Sequence, residues 1–132
     1  MAQTVEFRVY GRPAPQGSKA YKGNQRFVEA SKYLPAWRKA VKNAAAVAQG
    51  GAPLFEAPVR VEVRFWLERP KKPKFDRPGT PPDLDKLCRA VFDALSGTVW
   101  LDDALVVDLN ARAFWTTDTE AQGCHITVFE AL

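Results

Sequence analysis

Pro58-Val59-Arg60-Val61-Glu62-Val63-Arg64-Phe65-Trp66-Leu67-Glu68-Arg69-Pro70 is the stretch on which the fold turns. Val59, Val61, Val63, Phe65 and Leu67 point one way, and Arg60, Glu62, Arg64, Trp66 and Glu68 the other. That is the period-2 alternation of a strand with one buried face. Pro58 and Pro70 bracket it, since proline cannot donate to the ladder. A strand this apolar on one side needs partners, and three weaker runs supply them. Upstream, Val5, Phe7 and Val9 alternate with Glu6, Arg8 and Tyr10. Downstream, Leu105 to Trp115 carries Leu105, Val107, Leu109, Ala111 and Ala113 on one side. Gly123 to Phe129 reads as a short last strand, joined to the preceding one by a polar hairpin loop, Thr116 to Gln122.

Between the strands the period changes. From near Ser31, the positions Leu34, Trp37, Val41 and Ala44 or Ala45 form a helical stripe, with Ala40, Ala46 and Ala48 as strong helix formers. Pro35 fits only a first turn, and Gly50-Gly51 supplies the stop. Arg38 and Lys42 share a face beside Lys39 and read as a solvated surface. A second helix is predicted from Asp83 to Leu95, with Leu84, Leu87, Cys88, Val91 and Leu95 as its stripe, Asp83 as a plausible N-cap and Ser96-Gly97 at its end. The order β-α-β-α-β-β predicts an α+β fold. It is a single small domain over residues 1–132, with one mixed sheet and two helices packed mainly on one face.

The 132 residues are 46% hydrophobic and 26% charged, enough to bury a core without metal or disulfide staples. No apolar run approaches the ~20 residues of a membrane span, and the first residues lack a secretory pattern. No membrane association and a cytoplasmic setting are therefore expected. Two cysteines, Cys88 and Cys124, are too few for a disulfide framework, and their spacing matches no zinc motif. A single histidine, His125, reads as structural. Charge is segregated along the chain. Residues 1–82 hold 16 Lys/Arg against 6 Asp/Glu, a balance of +10, and residues 83–132 hold 3 against 9, a balance of −6. Basic surface attracts polyanions and compact acidic clusters attract cations. Interleaving of the two halves in space would cancel the asymmetry. The basic residues concentrate in two segments. Lys19 and Lys22 lie in a Gly/Pro-rich loop, residues 11–23. Lys71, Lys72, Lys74 and Arg77 lie in Arg69–Pro82, which has five Pro and reads as an exposed, extended loop. With Lys86, these cations are candidates for contact with nucleic-acid phosphates. Trp66, Phe75 and Phe114 are candidates for stacking or pairing.

The acidic residues cluster by position: Asp83-Leu84-Asp85-Lys86-Leu87-Cys88-Arg89, then Asp93-Ala94-Leu95, then Asp102-Asp103 before a hydrophobic strand. Asp83 and Asp85 lie at the mouth of a helix, where the residue outside helical geometry can converge with the one inside. Asp85 and Arg89 are i, i+4. Mg²⁺ takes one or two carboxylates and completes its shell with water and phosphate oxygens. An ion so held activates water and steadies charge on a phosphodiester, and a neighbouring cation adds to that. The plainer reading stands beside this one: an N-cap, an i, i+4 ladder of Asp85, Arg89 and Asp93, and two turn aspartates.

The ordered set resembles the RusA family of Holliday-junction resolvases, the crossover junction endodeoxyribonucleases common in bacterial prophages and phages. That family's pattern is D-L-D-N-L-x-K, a helix ending in D-A-L, and D-D before a hydrophobic strand. The segment Gly11-Arg12-Pro13-Ala14-Pro15-Gln16-Gly17-Ser18-Lys19 is similar to the family's loop after its first strand. The resemblance implies a metal-dependent endonuclease that nicks four-way DNA junctions in symmetric pairs, in recombination and repair. It implies Mg²⁺ (or Mn²⁺) on Asp83, Asp85 and Asp103, with Arg89 at the position of the catalytic lysine and no small-molecule cofactor. Asp93 and Asp102 would support them, Asp93 by orienting Arg89. Symmetric nicking implies a homodimer. Two residues depart from the pattern. Lys86 stands where the family has asparagine, and Arg89 where it has lysine. Arginine keeps the charge but gives up no proton. The alternatives are a protein of the same fold that binds junctions without cutting, and a nuclease for flaps or forks.

Overall fold

A computed structural model of the chain describes residues 3–17 and 32–131. Its elements follow the expected order: β1 (Thr4–Tyr10), α1 (Leu34–Gln49), β2 (Val59–Leu67), α2 (Leu84–Leu95), a 3₁₀ turn (Asp103–Leu105), β3 (Val106–Trp115) and β4 (Gly123–Glu130). The predicted start of α1 near Ser31 lies outside the described residues; Pro35 sits in the first turn, where its missing N–H costs nothing. Gly50, at φ 58, closes the helix in the left-handed conformation that a residue with a side chain resists. Leu105, expected in the strand, belongs to the turn that precedes it.

The sheet order is β1-β4-β2-β3. β2 and β3 are parallel, joined through α2, while β4 runs antiparallel to both β1 and β2. The expected hairpin between β3 and β4 is therefore not formed. Thr116–Gln122 instead carries the chain past the end of β2, where Thr116 N–H donates to Leu67 C=O at 2.9 Å. β2 takes an inner position because its apolar face is the most continuous, with Val59, Val61, Val63 and Phe65 at 0–1% exposure. The register gives three core rows: Val5–Val128–Val61–Leu109, Phe7–Ile126–Val63–Ala111 and Val9–Cys124–Phe65–Ala113. Cys124, without a role in the sequence reading, fills the third row. Both helices cover this face, with Trp37, Val41 and Ala45 of α1 and Leu87, Val91 and Leu95 of α2 buried against it. At β3 the cover thins, and Leu109 stays 43% exposed. Among the described residues no helix lies on the other face of the sheet.

The strands alternate between the basic and acidic halves of the chain, so the two halves are interleaved within the sheet. Among the described residues no helix is long and apolar enough to cross a membrane.

Candidate active site

α2 begins after Asp83, whose backbone is extended (φ −71, ψ 141) and whose C=O accepts from Lys86 N–H and Leu87 N–H at 3.1 and 3.0 Å. Asp83 is the N-cap residue by position, yet its carboxylate makes no capping hydrogen bond. It turns to Lys86 instead, Oδ2 to Nζ 3.6 Å. Asp85 is exposed in the first turn, and Arg89, one turn on, is exposed on the same side.

Asp103 comes from the turn before β3. Trp100 Nε1 donates to its Oδ1 at 2.8 Å. The Trp100 ring has no exposed surface and meets Phe92 of α2 edge to face at 5.5 Å, so the core itself aims this carboxylate. Asp102 does different work. Its Oδ1 accepts from Ala104 N–H at 2.9 Å and caps the 3₁₀ turn.

These elements close around a cavity of about 690 Å³. Asp85, Arg89, Asp93 and Asp103 line it over an apolar floor of Leu84, Cys88, Phe92, Leu109 and Ala111. Asp83 is not among the lining residues. Asp93 lies in the cavity wall, but its ion pair is with Arg38 of α1, Oδ2 to Nη1 3.0 Å, rather than with the expected Arg89. What positions Arg89 is backbone. Gln16 N–H donates to Lys86 C=O at 3.0 Å, docking the loop after β1 onto α2, and Arg38 Nη1 donates to Gln16 Oε1 at 3.1 Å. Gly17 then lies under the guanidinium. A Cβ at that position would collide with Arg89 Nη1 and stand 3.2 Å from its Cδ and Cζ. Trp100, Gly17, Gln16 and Arg38 were missed by sequence reasoning. The only local signals were a tryptophan three residues before Asp103 and a glycine in a loop rich in other turn residues.

Among the described residues no group of three or more His, Cys, Asp or Glu is gathered to hold an ion by itself. The carboxylates sharing the cavity without an ion-pair partner among those residues are Asp85 and Asp103. That donor set fits Mg²⁺, a hard ion content with one or two protein carboxylates. Cys88 beneath it is no competing soft ligand. Burial, and then the negative charge of Asp85, push its thiol up to about 11, so it stays protonated at neutral pH.

The basic segment after β2 has no regular structure but is tied down. Arg77 Nε donates to Ala113 C=O at 3.1 Å, and Trp115 Nε1 donates to Phe75 C=O at 2.9 Å. Lys71, Lys72, Lys74 and Arg77 are all exposed along it. Phe75 is exposed too, Phe114 is half-buried, and Trp66, expected to be available for stacking, is buried. Its ring lies under the Arg8 guanidinium, 4.6 Å away, and against Phe114 at 6.2 Å. Lys19 and Lys22 lie outside the described residues.

A family described as endodeoxyribonuclease RusA matches residues 10–128, nearly the whole chain. The chain belongs to the RusA endodeoxyribonuclease family. A relative from Bacillus subtilis (strain 168), named only as the uncharacterized protein YqaN, is 31% identical over 133 residues, spanning 89% of this chain and 92% of its own. The RusA match takes in the cavity, the loop that docks on α2, the whole of β2 and β3 and β4 as far as Val128, and it begins at Tyr10, the last residue of β1. Membership brings deoxyribonuclease chemistry and branched DNA as the family's substrate. The matched span includes the carboxylates, the Arg89 cation and the apolar floor that line the cavity.

Proposed function

We propose that this RusA-family chain is a metal-dependent resolvase that nicks four-way DNA junctions in symmetric pairs. The observation that carries the reading is the meeting of Asp85 and Arg89 from α2 with Asp103 from the β3 side in one cavity. Asp85 and Asp103 would hold Mg²⁺ (or Mn²⁺), with Asp83 reaching in from the helix mouth. When bound, the ion supplies water activation and charge neutralisation at the phosphate. Arg89 offers a planar fork to the phosphate oxygens as charge builds on them. Its contribution is electrostatic, and it donates no proton to the leaving oxygen. The Trp100 hydrogen bond holds Asp103 at one setting through the reaction. Lys71, Lys72, Lys74 and Arg77 contact phosphates outside the cavity, giving affinity without sequence readout. Two such sites on a two-fold dimer would cut opposite strands of one junction.

The test is cleavage of a labelled four-way junction beside a linear duplex of the same sequence, in Mg²⁺ and in EDTA. Paired nicks on the junction alone, in Mg²⁺ alone, and their loss in Asp85→Asn with binding retained, are the expected outcome. Tight junction binding with no nicks in Mg²⁺ or Mn²⁺ would sink the nuclease reading.

One observation favours the second reading, a junction-binding protein that does not cut. Lys86 pairs with Asp83 and so draws one expected metal ligand away from the cavity. If that pair governs the site, Lys86→Asn would create cleavage where the natural chain has none.

A further inference from the structure

The face of the sheet on which the described residues place no helix carries an ordered row of basic side chains. The strand register sets Arg8 of β1 beside His125 of β4, His125 beside Arg64 of β2, and Arg64 beside Arg112 of β3. The row divides in two. Arg8 donates to the carbonyls of Val9, Ala121 and Cys124 at 2.6, 2.6 and 3.2 Å, and His125 Nε2 lies 2.7 Å from Glu6 Oε2. Those two side chains are occupied with holding the sheet together. Arg64 and Arg112 are exposed, and neither has a hydrogen-bond or ion-pair partner among the described residues. They line a concavity of about 240 Å³ with Asn110 and Glu62, and the Glu62 carboxylate is turned to Arg60 at 3.7 Å.

Like charges on directly neighbouring strand positions destabilise a sheet. The natural compensation for two unpaired guanidinium groups side by side is an anion. Adjacent strands lie ~4.8 Å apart, so two planar forks at that spacing can share one phosphate or hold two successive ones. The surroundings continue the pattern. The next row along the sheet is Tyr10–Gly123–Trp66–Phe114, with Arg77 stacked over Phe114 at 4.4 Å. Arg77 leads into the basic segment with Lys71, Lys72 and Lys74. An extended track of this kind suits a long polyanion better than a small acid.

We propose that Arg64 and Arg112, with Asn110, form a phosphate-binding site on the open face of the sheet that grips a DNA backbone segment other than the one in the cavity. β3 is the divider. Leu109 and Ala111 face the cavity, while Asn110 and Arg112, alternating with them, face the other way. A molecule that handles branched DNA would thus engage two segments across one edge strand. The inference rests on the chain acting on DNA, but not on any step of cleavage.

The double variant Arg64→Gln/Arg112→Gln is compared with the natural chain for junction binding in EDTA, by fluorescence anisotropy over a KCl series. Arg60→Gln, on the same face but paired with Glu62, is the control. The expected result is junction affinity weaker by roughly ten-fold and a plot of log affinity against log salt shallower by about 2. The control stays within about two-fold of the natural chain at each salt. The thermal midpoint of the double variant is equal or higher, because a repulsive pair is gone. Unchanged affinity and slope would overturn the proposal and leave a solvated surface only. A lowered midpoint with lost binding would overturn it too, by showing that the arginines hold the sheet. If the natural chain binds no junction, this proposal and the reading of its function both fail; if the natural chain binds and the double variant binds equally, this proposal alone fails.

Discussion

Asp103 and Arg89 show how single residues are aimed by groups that carry no charge. The Asp103 carboxylate takes a 2.8 Å hydrogen bond from the wholly buried Trp100 indole. Trp100→Phe keeps a ring in the core and removes the donor. Stability should fall by about 2 kcal/mol, from the lost hydrogen bond and the smaller ring. Mg²⁺-dependent cleavage should fall further than that loss explains, since the freed carboxylate samples other settings. Urea unfolding and single-turnover cleavage, measured on the same preparation, check both parts. Gly17 acts by being small. An alanine there, at φ +91, is strained and would displace the Arg89 head. Gly17→Ala should slow junction cleavage by about ten-fold or more while junction affinity holds. Equal losses in both would mean that Arg89 serves binding rather than the transition state. Neither partnership was legible in the sequence. Asp85 and Asp103, which share the cavity, stood out in the sequence because spacing along a helix and a D-D pair are local facts, but Asp83, expected with them, lies outside its lining. Trp100 and Gly17 act through contacts that only folding creates.

At the scale of the element, α2 is the piece that joins core to chemistry. Its buried stripe was readable from period alone, and the helix runs over Leu84–Leu95 as that stripe requires. Its partners were not. Asp93 reaches across to Arg38 of α1, and both side chains are nearly half exposed, at 48% and 42%. Solvent screens such a pair, so Asp93→Asn should cost under about 1 kcal/mol by chemical unfolding and leave the Arg89 contribution to cleavage intact. Cys88, on the inward side of the same helix, gives α2 an alkaline limit. Burial first, and Asp85 second, raise its folded thiol to about 11, above the ~8.5 of an unfolded cysteine. The folded chain therefore keeps a proton that the unfolded chain releases, and stability falls as pH rises through that window. Burial of Cys124 raises its thiol as well and adds to the trend. Urea midpoints should be flat from neutral pH to ~8.5 and then decline. Cys88→Ala should reduce the decline, and a curve that keeps its full slope in that variant would place the titration elsewhere.

For the whole molecule, strand alternation and helical period were enough to predict an α+β layer with one mixed sheet. They could not order the strands, because period says which face is buried and not which neighbour is paired. The expected hairpin failed for that reason. β4 slots between β1 and β2, and this insertion interleaves the basic and acidic halves that looked segregated along the chain. It also leaves β3 as an edge strand with a cavity on one side and a basic concavity on the other. That geometry has a consequence for how cutting is counted. The cavity is lined by one Arg89 and one pair of Asp85 and Asp103, so under the proposed function one chain would cut one strand, and paired nicks would require two chains on one junction. On the proposed two-fold assembly, co-purified mixed species of the natural chain and Asp85→Asn should bind a junction as tightly as the natural chain alone and leave a single nick. Nicks and resolved duplexes can be separated on denaturing and native gels of a junction labelled on two strands. Paired nicks from the mixed species would mean that a single cavity serves both strands in turn, and would remove the reason for a two-fold assembly.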